Sequence, residues 1–238
     1  MSGHNKWSKI RRQKAVTDSR RSKAWSIMSR EITVAARDGG GDPSMNARLA
    51  LAVQKAKREN MPKDNIDRAI RRGTGEIVGR NYEEHTYEGY APKGVAVFVD
   101  VLTDNTNRTV ADLRSIFAKA GGSLGKSGTV AYLFDRKGLL QVDTAKTMDI
   151  LDLAVEAGAE DVDEDADALM IVTAPEEFES VHAALESAGV DVADARLVRL
   201  PRSTVTLDAS DTQKIMRLLE HLEEHQDVQA VYSNLDVL

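Results

Sequence analysis

Residues 138–173 read GLLQVDTAKTMDILDLAVEAGAEDVDEDADALMIVT. Gly138–Val142 is a short aliphatic run of strand length, and Thr147–Ala157 has helical texture. Glu160–Val162 and Ala168–Thr173 read as two strands joined by a charged hairpin. Beyond them, Pro175–Ala188 predicts a helix with Pro175 near its start, and Val190–Leu200 is extended. The order from 138 to 200 is βαββαβ, a complete ferredoxin-like unit. The flanking pieces, βαβ over 94–134 and βαβ over 203–234, predict a second such unit interrupted by the first. An α+β domain over 136–200 is therefore expected to sit inside a discontinuous α+β domain, 81–135 with 201–238.

The flanking domain is expected to hold strands at Tyr87–Tyr90, Val95–Leu102, Thr129–Phe134, Thr204–Leu207 and Val228–Ser233. Its helices are expected from Asn107, as cap, to Ala120 and from Asp211 to Glu224. Upstream the texture is purely helical. Trp25, Met28, Ile32 and Ala35 mark one face of a helix over Ser19–Arg37, which Gly39-Gly40-Gly41 stops. Met45, Leu49, Ala52, Val53 and Ala56 stripe a second helix over Ser44–Glu59. Asn60-Met61-Pro62 ends it, and Pro62 suits the first turn of a third helix over Lys63–Arg72, with Ile66, Ala69 and Ile70 inward. The fold class is thus α+β in three domains: a three-helix bundle within 18–80 and two ferredoxin-like domains, one inserted in the other. Residues 1–17 show no apolar period and read as a basic arm.

Charge is divided along this organisation. The chain has 32 Lys+Arg against 38 Asp+Glu, a net −6. Residues 1–80 hold 19 basic and 8 acidic side chains, +11; residues 81–238 hold 13 and 30, −17. Such asymmetry predicts a polyanion-binding head on an acidic body. The candidate phosphate contacts are Lys6, Lys9, Arg11, Arg12, Lys14, Arg20, Arg21 and Lys23, then Lys55 with Arg58 and Arg68 with Arg71 and Arg72 on helix faces. Trp7 lies outside any apolar stripe and is the candidate for stacking on an unpaired base; Trp25 lies on the stripe and is expected in the core. No apolar run is long enough for a membrane span, and no signal peptide is visible, so a cytoplasmic location is expected. The absence of cysteine removes disulfides, thiolate metal sites and a Cys nucleophile.

Four stretches imitate chemical motifs. Ala120–Ser127 resembles a relaxed Walker A loop around Lys126, but a helix precedes it where a strand is required. His221-Leu222-Glu223-Glu224-His225 has the H-x-x-E-H spacing of a zinc site, without an evident third ligand. Glu160–Asp167 lacks the glycine and the bidentate Glu of a calcium loop. Lys93–Val99 echoes an RNA-recognition strand, but Val95 and Val97 stand at the stacking positions. No cofactor or metal is expected.

Several motifs together resemble the YebC family: Gly3-His4-Asn5-Lys6-Trp7, Arg30–Arg37, Gly39–Pro43, Asn60–Ile66, Tyr87–Tyr90, Leu102–Asn105 and Gly121–Gly125. Asn5 departs from the small Ser usual in that pattern. The resemblance implies a helical N-terminal domain followed by two α+β domains, and a non-enzymatic cytosolic regulator of transcription. It also brings in organellar relatives, among them a mitochondrial translational activator of cytochrome c oxidase, and a role at the ribosome. No catalytic residue is carried over.

The expectation is therefore a nucleic-acid-binding regulator, with DNA as the target of a transcriptional role and ribosomal RNA as the alternative. The acidic α+β domains are expected to face ribosomal or transcription proteins. The rival classes are a metal- or nucleotide-dependent hydrolase, built on His221/His225 or the Lys126 loop, and a pure protein adaptor.

Overall fold

The computed structural model describes residues 18–143, 147–165 and 168–236. They fall into two compact units, 133–204 and 18–132 with 205–235.

The second unit begins with three helices: α1 (Asp18–Gly39), α2 (Ala47–Arg58) and α3 (Lys63–Gly73). Met28, Ile32 and Ala35 of α1 close over Leu49, Ala52, Val53 and Ala56 of α2 and over Ile66 and Ala69 of α3. The expected stripes are the core, with one correction. Met45 is 83% exposed, because α2 starts only at Ala47. Its cap is Asn46, whose side chain accepts from Leu49 N at 3.1 Å and donates to Ala35 O and Gly40 O. One buried amide thus starts α2 and ties down the end of α1. Gly73 closes α3 against α1: a Cβ there would stand 2.3 Å from Thr33 O.

In the same unit follow β1 (Glu83–Tyr90), β2 (Ala96–Thr103), α4 (Thr106–Lys119) and β3 (Ser123–Leu124). After the insertion the chain returns as β8 (Val205–Thr206), α7 (Ala209–Glu223) and β9 (Val228–Ser233). The antiparallel sheet has the order β3-β1-β2-β9. That is the ferredoxin-like order with β1 in the third strand's place. The sequence reading assigned that role to segments flanking the insertion. The short β1–β2 hairpin, in register from Tyr90↔Ala96 to Glu83↔Thr103, closes at far lower chain entropy. β8 stays outside this sheet, with Val205 N donating to Asn234 O. Helix α4 is capped by Asn105, not Asn107: its side chain accepts from Arg108 N at 3.0 Å.

Residues 129–133 form no strand. The buried carboxylate of Glu88 accepts from the backbone N–H groups of Gly128, Val130 and Ala131 at 2.6–2.8 Å. This bends the segment into a 3₁₀ turn over Ala131–Leu133. The other unit then comprises β4 (Phe134–Asp143), α5 (Thr147–Glu156), β5 (Ala159–Asp165), β6 (Ala168–Thr173), α6 (Phe178–Ser187) and β7 (Val192–Pro201). Its antiparallel order β5-β6-β4-β7 is that of the ferredoxin-like unit. Leu140, Leu169 and Ile171 of the sheet and Leu185 of α6 are fully buried.

A single carboxylate joins bundle to sheet within the larger unit. Asp227, in the α7–β9 turn, is 1% exposed. It accepts from Arg30 of α1 at 3.0 Å, Arg108 and Thr109 of α4 at 2.8 Å each, and Thr103 of β2 at 3.2 Å. Arg30 also donates to Gln226 O and lies 5.3 Å from the centre of the Tyr82 ring. Burial alone would raise the Asp227 pKa. The hydrogen bonds from Arg108 and Thr109 and the charges of Arg108 and Arg30 outweigh it and hold the carboxyl below its ordinary range. A depressed carboxylate pKa stabilises the fold fully above the unfolded value of about 3.9 and loses that contribution as pH falls through the folded value. Asp227→Asn is therefore expected to cost about 3 kcal/mol at pH 7. It should also flatten the acid limb of stability below about pH 4. Denaturant titrations across pH check both.

Candidate nucleic-acid interface

In the described part of the basic head an open groove lies between α1 and α3. Trp25, Ser26 and Ser29 line it from α1, and Asn65, Arg68 and Arg72 from α3. Met61 closes its end, and its volume is about 230 Å³. Helical spacing explains the arrangement. Positions 65, 68 and 72 fall on one stripe of α3, beside the stripe of Ile66 and Ala69 that enters the core. Positions 25, 26 and 29 share a face of α1 in the same way.

The turn between α2 and α3 sets the groove's end. Asn60 takes a left-handed conformation, φ 55°, and Met61 N then reaches Ala56 O at 2.9 Å. The carbonyl of Glu59, at the C-terminus of α2, has no helical donor left to it. Trp25 Nε1 supplies one at 3.1 Å. Trp25 therefore packs on the core as the periodicity implied, and its indole also forms a wall of the groove.

Arg68 and Arg72 make no ion pair among the described residues, and no carboxylate lines the groove. Several neighbouring cations are engaged elsewhere. Arg71 pairs with Glu76 at 3.2 Å, Arg37 with Asp38 at 2.9 Å, and Arg48 with Asp38 and Glu84. Arg58 also has a partner. Lys23 donates to Glu223 O, and burial draws its ammonium below the ordinary lysine range despite the nearby Glu224 and Glu223 charges. Of the expected contacts, the structure thus brings Arg68 and Arg72 together, turns Arg71 aside and leaves Lys55 and Arg58 on α2. Arg20 and Arg21 belong to the first turn of α1. Lys6, Trp7, Lys9, Arg11, Arg12 and Lys14 lie outside the described residues. Ser26, Ser29 and Asn65 were not expected as site residues; neutral side chains give no charge signal, and only the α1–α3 packing brings them together.

The imitation motifs are accounted for by ordinary bonding. In the loop around Lys126, Gly121 N and Gly122 N go to the end of α4, Gly125 N to Glu88 O, and Gly128 N to the Glu88 carboxylate. These four glycine N–H groups are thus bonded within the protein and are not offered to a phosphate. At the end of α7, His225 Nε2 faces Asp112 at 3.2 Å and Nδ1 accepts from Asp227 N at 3.2 Å. Both ring nitrogens are engaged, so His225 and His221 are not a ready metal pair. Among the described residues, no group of three or more acidic or histidine side chains could hold a metal ion. None of their helices is long and apolar enough to cross a membrane.

Comparison with known proteins places this geometry. Residues 5–76 match the TACO1/YebC protein N-terminal domain, and residues 82–235 match the TACO1/YebC second and third domain. The chain belongs to the TACO1/YebC family. A relative from Rubrobacter xylanophilus is 54% identical over all of this chain and 96% of its own length. One from Natranaerobius thermophilus is 49% identical over all of this chain and 97% of its own. Both are named as a "Probable transcriptional regulatory protein". The crystal structure of a conserved hypothetical protein from Aquifex aeolicus aligns with a TM-score of 0.88 at 46% identity, covering 98% of this chain and 97% of that one. The groove thus belongs to the N-terminal domain of the TACO1/YebC architecture.

Two groove arginines with no ion pair among the described residues should be dispensable for folding. Arg68→Ala with Arg72→Ala is expected to change the unfolding free energy by no more than about 0.5 kcal/mol per site. Trp25→Phe, which strips the donor from Glu59 O, should cost about 1 kcal/mol. Thermal and denaturant unfolding of the variants checks this ordering.

Proposed function

We propose that this protein is a non-enzymatic, cytoplasmic regulator of gene expression that binds nucleic acid through its basic arm and the α1–α3 groove. The observation that carries the reading is the partition of cations. Most arginines of the bundle are engaged within the fold, yet among the described residues Arg68 and Arg72 have no ion pair and stand beside three neutral hydrogen-bonding side chains. Guanidinium groups so placed can neutralise phosphates and release their counterions. The arm, with Lys6, Lys9, Arg11, Arg12 and Lys14 and no acidic residue, adds charge at the start of α1. The acidic remainder of the chain repels the same polyanion and is free to meet protein partners. The names of the bacterial relatives favour transcription and a DNA target.

A second reading is a translation factor on ribosomal RNA, and one observation favours it. Helix α1 is packed on both α2 and α3, and α3 is closed onto α1 at Gly73. The two helices wall a recess between them, where a recognition helix would offer one face to a major groove. Contact with loops and unpaired strands suits such a surface better.

If about six phosphates are neutralised, affinity should fall about a thousandfold between about 50 and 200 mM salt. Arg68→Ala with Arg72→Ala should reduce the salt slope by about 2. Neutralising the arm cations together with Arg20, Arg21 and Lys23 should abolish binding. Fluorescence anisotropy with labelled DNA and RNA measures all three, and a flat salt response overturns the electrostatic grip. Crosslinking in cells with sequencing separates the targets: promoter DNA supports the first reading and ribosomal RNA the second.

A further inference from the structure

The groove holds more than a phosphate needs. A phosphate backbone asks for cations and hydrogen-bond donors, which Arg68, Arg72, Ser26, Ser29 and Asn65 provide. It has no use for an indole, yet Trp25 forms the remaining wall above the nearly buried Met61. We propose that the groove seats one unpaired nucleotide, its base against the Trp25 indole and its phosphate between Arg68 and Arg72. This rests on the nucleic-acid reading above and specifies it: the ligand is a single-stranded or looped segment, not a duplex.

Four features favour that occupant. First, the indole is fixed. Its only polar atom is committed to Glu59 O at 3.1 Å, so the ring offers the ligand carbon surface in a preset position. Every base has an apolar face, so contact with such a wall tolerates sequence. Second, Arg68 and Arg72 are one turn apart on α3, close enough for both to reach one phosphate group. Third, Asn65 lies one turn before Arg68 on the same stripe. Its amide carries both a donor and an acceptor, the pair that a base edge matches, and its side chain makes no hydrogen bond among the described residues. Fourth, the size is restrictive. About 230 Å³ is below the roughly 300–1,000 Å³ of pockets that enclose a drug-sized ligand, so the groove suits one nucleotide rather than a folded element. A base within a duplex is stacked on both faces and presents no surface to Trp25; an unpaired one does.

The chain has two tryptophans, Trp7 and Trp25. In a full-length Trp7→Phe protein, Trp25 alone reports. This protein is titrated at low salt with a short oligouridylate, a deoxyuridylate strand of equal length, a duplex of equal length, and an abasic strand with the same phosphates but no bases. The expected result is quenching of Trp25 by the base-bearing single strands, with the abasic strand binding at least about fivefold more weakly and without quenching. Quenching by either the ribose or the deoxyribose strand supports the site, and the stronger of the two identifies the nucleic acid. Asn65→Ala should weaken the single strands while leaving the abasic strand unchanged. Trp25→Leu should weaken them by about tenfold, with its fold confirmed by circular dichroism. If abasic and base-bearing strands bind alike, or if the duplex quenches as strongly, the nucleotide site is overturned and the electrostatic grip survives. If no strand binds, the nucleic-acid reading falls with it.

Discussion

Asp227 gathers α1, β2 and α4 around one carboxylate that is withdrawn from water. Four donors from three elements converge there, each more than a hundred residues of chain away from Asp227. Burying a carboxylate is unfavourable on its own, so the site is stable only while every donor is in place. That requirement fixes where the bundle stands on its sheet. Arg30 is central to it, since the same guanidinium also reaches Gln226 O and the face of Tyr82. The approach of α1 to the sheet is thereby specified by directional contacts, whereas apolar packing alone would tolerate sliding.

The same arrangement sorts the basic head into two kinds of cation. Arg30, Arg37, Arg48 and Arg71 each have a carboxylate within reach, and their charge is used inside the molecule. Arg68 and Arg72 have none among the described residues and line an open groove. A net charge counts both kinds equally, so the +11 of residues 1–80 overstates what is available to a ligand. Rigidity matters as much as charge here. Trp25 is held by the end of α2, and Met61 by the left-handed Asn60, so the groove's walls are set before anything binds.

Much of the local structure was legible because period and punctuation are local properties. The stripes Met28-Ile32-Ala35 and Ile66-Ala69 became core, and the βαββαβ order of the inserted unit was readable from its runs. Errors arose where a distant group decided. Thr129–Phe134 has strand composition, yet a Glu88 carboxylate some forty residues away takes its N–H groups and bends it. Met45 fits the apolar stripe, but Asn46 is the better cap because Ala35 O and Gly40 O wait for its amide.

By itself, the sequence determined the α+β class, the helical head, the inserted unit and the concentration of positive charge in the first third of the chain. These follow from residue order and composition, which need no knowledge of what lies across the fold. Only the tertiary structure decided which strand fills the third place in the sheet, which carboxylate joins the bundle to it, and which two arginines line the groove without an ion pair among the described residues. Those outcomes depend on pairings between residues far apart in the chain, where burial makes a missing partner costly and a short hairpin closes ahead of a long loop.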